Sequence, residues 1–240
     1  FYSLRYLLSR AGLDSAKVKE VKMRIVVTGG LGFIGSSLCE KLLKEGHWVM
    51  AIDNLDNYYD PKIKLLNLDD LKPFEQFSVN ILDINNQVEM EKIFSEWKPD
   101  IVMHTAGKAG VRPSIKNPVS YVQANITGTT NLLETMEKTG VKKLAFCSSS
   151  SVYGKREEVQ FSEDLDFYCA LSFYAASKQC GELITRQYHN LYNFSVINLR
   201  FFTVYGPKQR PDLAIHKFLK SAIQNQPITL FGDCLLYTSD

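Results

Sequence analysis

TGGLGFIG, residues 28–35, sets four glycines between an apolar run and an amphipathic one. Gly30, Gly32 and Gly35 fit G-x-G-x-x-G, and Gly29, Gly32 and Gly35 fit G-x-x-G-x-x-G. Ahead of it, MRIVVTG (23–29) reads as a strand. Behind it, FIGSSLCEKLLKEG (33–46) spaces Ile34, Leu38, Leu42 and Leu43 as one face of a helix that stops at Gly46. Glycines at a strand-to-helix junction let the backbone approach a pyrophosphate closely, and the helix N-terminus offers free N–H groups to it. A structural glycine turn would fit the same spacing, so the next strand carries weight. HWVMAID (47–53) ends in Asp53. A carboxylate there accepts from both ribose hydroxyls of an adenosine and repels a 2′-phosphate, which favours NAD over NADP.

Outward from this junction the pattern repeats. FSVNIL (77–82), DIVMHTA (100–106), KKLAFCSSS (142–150) and FSVINLRFF (194–202) read as strands. Stretches 86–97, 119–140, 172–192 and 213–224 read as helices, and the segment around Asp60-Pro61 as polar and turn-rich. Nearly all-apolar strands alternating with helices imply a parallel sheet covered on both faces. The expected fold is therefore α/β, a Rossmann-type doubly wound sheet. We expect three segments: an extension over 1–22, with Met23 as native start; a dinucleotide-binding domain over 23–205; and the truncated beginning of a smaller substrate domain over 206–240.

Composition narrows the class. With 45% hydrophobic and 22% charged residues the chain is an ordinary globular one, and its net charge of +2 argues against nucleic acid as a partner. No apolar run reaches the roughly 20 residues of a membrane helix. The five cysteines form no C-x-x-C pair and no metal spacing with the four histidines. They read as reduced thiols in a cytoplasmic protein, with no metal expected. His104, inside an apolar strand, reads as a packed core residue.

FCSSSSVYG (146–154) puts hydroxyls at the carboxyl end of the fifth strand, the edge where open α/β sheets bind ligands. FYAASK (173–178) puts Tyr174 and Lys178 one turn apart on a helix starting at that edge. Tyr58–Lys62 repeats the spacing, but Pro61 interrupts it. A tyrosine with pKa near 10 needs help to act as a base at neutral pH; a neighbouring ammonium and an oxidised nicotinamide would both lower that value. A serine hydroxyl can hold the same substrate oxygen. Such a set suits alcohol oxidation.

Together TGGLGFIG, Asp53, SSSSVYG and YAASK resemble the extended short-chain dehydrogenase/reductase family. IDNLDNYYDPKIK (52–64), AGKAGVRPS (106–114), NITGTTNLLE (125–134) and LRFFTVYGPKQRPDLA (199–214) resemble its nucleotide-sugar epimerases, above all the UDP-glucuronate 4-epimerase branch. The resemblance implies an NAD-dependent isomerase that converts UDP-glucuronate to UDP-galacturonate through a transient 4-keto sugar. It implies Ser149, Tyr174 and Lys178 as the catalytic set, with Ser148, Ser150 and Ser151 as close alternatives to Ser149. Gly29, Gly32, Phe33, Ile34, Gly35 and Asp53 match cofactor contacts, as do Thr105, Ala106, Gly107, Asn125 and Phe202. Asn80-Ile81 is matched to an adenine-contacting Asp-Ile pair, with Asn in place of Asp and weaker binding expected. Ser150, Ser151, Thr203 and Arg210 match substrate positions, and Arg210 is expected to meet the sugar carboxylate.

Two departures stand out. Phe173 replaces a proline before the tyrosine, which is expected to loosen the start of that helix, and CLLYTSD (234–240) departs from the family pattern. The resemblance also implies a homodimer through helices 119–139 and 172–192. Alternatives are a 4,6-dehydratase, whose usual Asp-Glu pair is missing from the serine run, a decarboxylase, and a non-catalytic NAD-binding regulator.

Overall fold

The computed structural model describes residues 22–155 and 160–228. The expectations for 1–21 and for CLLYTSD lie outside the described residues.

Six strands form one sheet: β1 Arg24–Thr28, β2 Trp48–Asp53, β3 Phe77–Ile81, β4 Ile101–His104, β5 Lys143–Ser149 and β6 Ser195–Phe201. Their order is β3-β2-β1-β4-β5-β6, with every neighbouring pair parallel. That is the doubly wound order anticipated from the alternation. The order reverses beside β1, and a ligand crevice belongs at that switch point. β1 illustrates why the central strands are largely apolar. Successive side chains point to opposite faces, so Ile25 and Val27 join one core with Leu42, Val49 and Leu71, while Val26 joins another with Met50, Met90, Phe94 and Leu132.

The helices follow in chain order. α1 (Phe33–Lys44) ends with Lys41 and Lys44 in its last turn, and Gly46 turns the chain at φ 85°. α2 (Pro61–Leu71) corrects the turn-rich reading of this segment. Asp60 is its N-cap, accepting from the Lys62 amide at 3.0 Å, and Pro61 takes the first helical position, where its missing N–H costs nothing. Two of its buried positions, Lys64 and Asn67, are polar, which blurs the apolar period. α3 (Gln87–Trp97) is capped by Asn86, and α4 (Val111–Lys116) is a short helix that the sequence reading did not separate.

The long helix expected over 119–140 is interrupted. α5 (Pro118–Tyr121) runs into a π-helical segment, Val122–Thr127, and continues as α6 (Gly128–Lys138). After β5 a 3₁₀ turn covers Ser150–Tyr153. α7 (Phe173–Tyr192) is capped by Ser172, whose hydroxyl accepts from the Ala175 amide at 3.0 Å. The cap forms although Phe173 stands in place of proline. α8 (Ala214–Ile223) follows β6. No helix among the described residues is long and apolar enough to cross a membrane.

Candidate active site

A cleft of about 500 Å³ opens along the carboxyl edge of the sheet. Its floor is the glycine turn. Gly29 adopts φ 66°, and a Cβ there would stand 2.7 Å from the Ala106 amide nitrogen. A Cβ on Gly35 would overlap the Gly29 carbonyl oxygen. Only glycine lets the turn close against both the fourth strand's loop and the start of α1. Gly32, Phe33 and Ile34 bring the first turn of α1 to the same wall, and Thr105, Ala106 and Gly107 form the wall opposite.

Asp53 reaches the cleft from the end of β2, buried, with both carboxylate oxygens engaged. Oδ2 accepts from the Leu31 amide at 3.2 Å, and Oδ1 from the Leu55 amide and Lys64 Nζ, both at 2.9 Å. Lys64 is a site residue that the sequence reading missed. It came from the stretch read as a turn, so nothing marked it as facing inward.

Two expected cofactor contacts fall elsewhere. Asn80 and Ile81 lie within β3, paired with Ile52 and Asp53, and neither lines the cleft. The Asn80 amide meets Met50 Sδ, and Ile81 is half exposed. Leu82, Asp83 and Ile84 line the cleft instead, because ligand-facing positions begin where the strand ends. An Asp-Ile pair stood three residues further along, legible once the strand end was fixed. Asn125 also stands behind the wall. It accepts from the Lys108 amide at 2.7 Å and donates to Lys108 O and Ser177 Oγ, both at 2.9 Å, tying the loop after β4 to α7.

The serine run sorts itself by contact. Ser149 is buried, lines the cleft, and pulls the Tyr174 phenol toward a lower pKa. Ser151 lies behind, donating to Ser149 Oγ from its amide and, at 2.9 Å, from its hydroxyl. Ser150 lines the cleft, while Ser148 also donates to the Glu182 carboxylate. Glu182 in turn receives Arg200 Nε at 3.1 Å and Nη2 at 2.9 Å, and the Arg200 guanidinium lies over the Tyr153 ring.

Tyr174 and Lys178 both face the cleft. Burial raises the Tyr174 phenol above its usual value, against the opposing pull of Ser149 and the Arg210 charge. The protein alone therefore does not lower it as the sequence reading expected. Burial also pushes Lys178 down to about 8. Its ammonium donates to Cys147 O at 2.7 Å and lies over the Phe146 ring. His104 is a packed core residue, held between Thr28 Oγ1 at 2.6 Å and Thr129 Oγ1 at 3.0 Å. Burial, with the Lys178 charge adding, lowers it to about 3, so it is neutral at any working pH.

The far end of the cleft is formed by Phe202, Thr203 and Arg210. Arg210 is chelated by Asp212, Nε to Oδ1 at 3.0 Å and Nη2 to Oδ2 at 2.7 Å, and its guanidinium lies 5.3 Å from the centre of the Tyr58 ring. No group of three or more His, Cys, Asp or Glu suited to a metal occurs among the described residues.

A UDP-glucuronate 4-epimerase of Thermodesulfobacterium geofontis is 46% identical over 208 residues, 87% of this chain and 64% of the relative. UDP-glucuronate 4-epimerase 1 of Arabidopsis thaliana is 42% identical, over 86% of this chain and 48% of its own length. A UDP-glucuronic acid 4-epimerase of Bacillus cereus, solved with UDP-glucuronic acid and NAD, superposes with a TM-score of 0.82 at 38% identity, covering 88% of this chain and 66% of that one. The chain thus spans less than two thirds of the first of these relatives. The profile described as the NAD dependent epimerase/dehydratase family matches residues 25–235, and the chain belongs to that family.

Proposed function

We propose that this chain is part of an NAD-dependent nucleotide-sugar 4-epimerase acting on UDP-glucuronate. The observation that carries the reading is that Ser149, Tyr174 and Lys178 line the same cleft as Arg210. The residues present fit a dinucleotide: the bare backbone at Gly29 and Gly35 suits a pyrophosphate, and Asp53 suits a ribose. Asp83 and Ile84 stand where an adenine would rest, taking the part expected of Asn80-Ile81. When bound there, NAD supplies a reversible hydride acceptor beside the reacting sugar carbon.

The remaining work falls to side chains. Tyr174 takes the proton of the 4-hydroxyl, and Ser149 holds the same oxygen. Lys178, beneath them, offsets negative charge on the phenol whenever it is protonated. Arg210 and Thr203 hold the sugar carboxylate. Inversion requires the 4-keto sugar to present its other face before Tyr174 returns the proton. The neighbouring similarity to UDP-glucuronate epimerases supports the choice of sugar.

Support for a homodimer comes from exposed apolar side chains on the two helices expected to pair, Val119 and Val122 on one and Leu183 and Leu191 on the other. Free thiols at Cys39, Cys147, Cys169 and Cys180 support a reducing, cytoplasmic setting. The test is a substrate panel on the full-length protein with UDP-glucuronate, UDP-glucose and UDP-N-acetylglucosamine, each product separated by chromatography. UDP-glucuronate is expected to turn over fastest. Preference for an uncharged sugar would overturn the role given to Arg210.

A further inference from the structure

Arg210 is not idle in the cleft, because Asp212 already takes its Nε–Nη2 edge with both carboxylate oxygens. This is the geometry that a sugar carboxylate would seek. The two residues sit two positions apart on one turn, and the Leu213 amide closes that turn on Arg210 O at 3.3 Å. The competing carboxylate is therefore tethered beside the guanidinium at high effective concentration. Its side chain keeps 35% of its exposure, against 18% for Arg210. Asp212 can thus swing toward water and recover its solvation, while the cation remains in the cleft wall.

Resting on the reading that Arg210 meets the sugar carboxylate, we propose that Asp212 is an internal competitor for that cation. It sets how strongly the site prefers an acidic nucleotide sugar over an uncharged one. If the sugar carboxylate displaces Asp212, the broken pair is charged against binding. If it shares the guanidinium through another edge, two like charges face each other across one cation. An uncharged hexose meets neither cost. Both routes lower the affinity for the acidic sugar alone, and both ease its release.

The experiment is calorimetric titration of the full-length protein with UDP-glucuronate and, separately, UDP-glucose, in the presence of NAD. Asp212→Asn keeps one acceptor on Arg210 and removes the charge. It is expected to raise the ratio of the two affinities by roughly tenfold in favour of UDP-glucuronate. Asp212→Glu keeps a carboxylate within reach and is expected to retain the wild-type ratio. Asp212→Ala serves if the Asn variant does not fold, with the same direction expected. Arg210→Gln tests the underlying reading, and should abolish the preference for the acidic sugar.

If Arg210→Gln abolishes the preference while Asp212→Asn leaves the ratio unchanged or lowers it, the reading stands and the competitor is overturned. Asp212 would then only orient Arg210. If Arg210→Gln leaves the preference intact, Arg210 does not meet the carboxylate, and both ideas fall.

Discussion

Glu182 chelates Arg200 one helical turn beyond Lys178, receiving Nε on both carboxylate oxygens and Nη2 on Oε2. The pair is largely buried, and Ser148 donates to the same carboxylate. It therefore joins α7, β6 and the end of β5 just behind the cleft. Breaking a buried pair from one side leaves a charge without compensation, at a cost of about 3–5 kcal/mol. Glu182→Leu is expected to lower the thermal midpoint by roughly 10 °C. Adding Arg200→Met should recover part of that loss, which a double-mutant cycle by differential scanning calorimetry would measure.

Tyr174→Phe removes one hydroxyl from the cleft and leaves its walls in place. Turnover of UDP-glucuronate should fall by about 10²–10⁴-fold, the range of general base catalysis. Binding of NAD, followed by fluorescence quenching, should stay within about twofold of wild type, because the hydroxyl stands outside the glycine turn. Activity that survives the change would refute a phenolate mechanism.

Lys178 links the site to pH. Burial lowers it to about 8 in the folded chain, while the unfolded chain keeps an ordinary lysine. Between those two values the unfolded state binds more protons, so stability rises with pH through that window. Below pH 8 the folded state carries the whole penalty, on the order of 3 kcal/mol. Lys178→Met should therefore lose its relative advantage between pH 7 and pH 10. Urea denaturation at the two values reads this directly: the difference in stability between wild type and variant should move in favour of wild type as pH rises. A constant difference would mean that the ammonium is not desolvated.

Lys64 and Asp53 form the most enclosed ion pair of the cleft, with side-chain exposures of 9% and 2%. Lys64→Met leaves Asp53 with two backbone amides and no counter-charge. A loss of about 3 kcal/mol is expected in urea denaturation. NAD affinity should change as well, because the acceptor at the ribose position is no longer held in place.

Much of this molecule was legible from residue order. The central strands declare themselves because parallel strands buried on both faces are largely apolar, as Ile25, Val26 and Val27 are, while the partly buried edge strands β3 and β6 carry Ser78, Asn80, Asn198 and Arg200 among their apolar residues. The glycine turn was legible because close backbone approach has few chemical solutions. α2 was not, since Asp60-Pro61 reads equally as a turn and as a cap followed by a first helical residue, and Lys64 and Asn67 on its inner face hide the period. Asp83-Ile84 was passed over for Asn80-Ile81 because the end of β3 is not marked by any residue type. The Asp212 contact was invisible for another reason: a pair two residues apart looks like surface charge until the turn that brings the two side chains together is known.

The widened turn at Val122–Thr127 has a consequence for mutational tolerance. A π turn carries one residue more than an α turn, so it resembles an insertion kept inside a helix. Removing a single residue there would let the coil wind regularly, with Pro118–Tyr121 and Gly128–Lys138 still in phase. The cost would fall inside the turn, on Asn125, which donates to Ser177 Oγ at 2.9 Å and would be redirected. The extra residue is thus tied to the place of Asn125, which joins the loop after β4 to α7, and not to the alignment of the flanking helices.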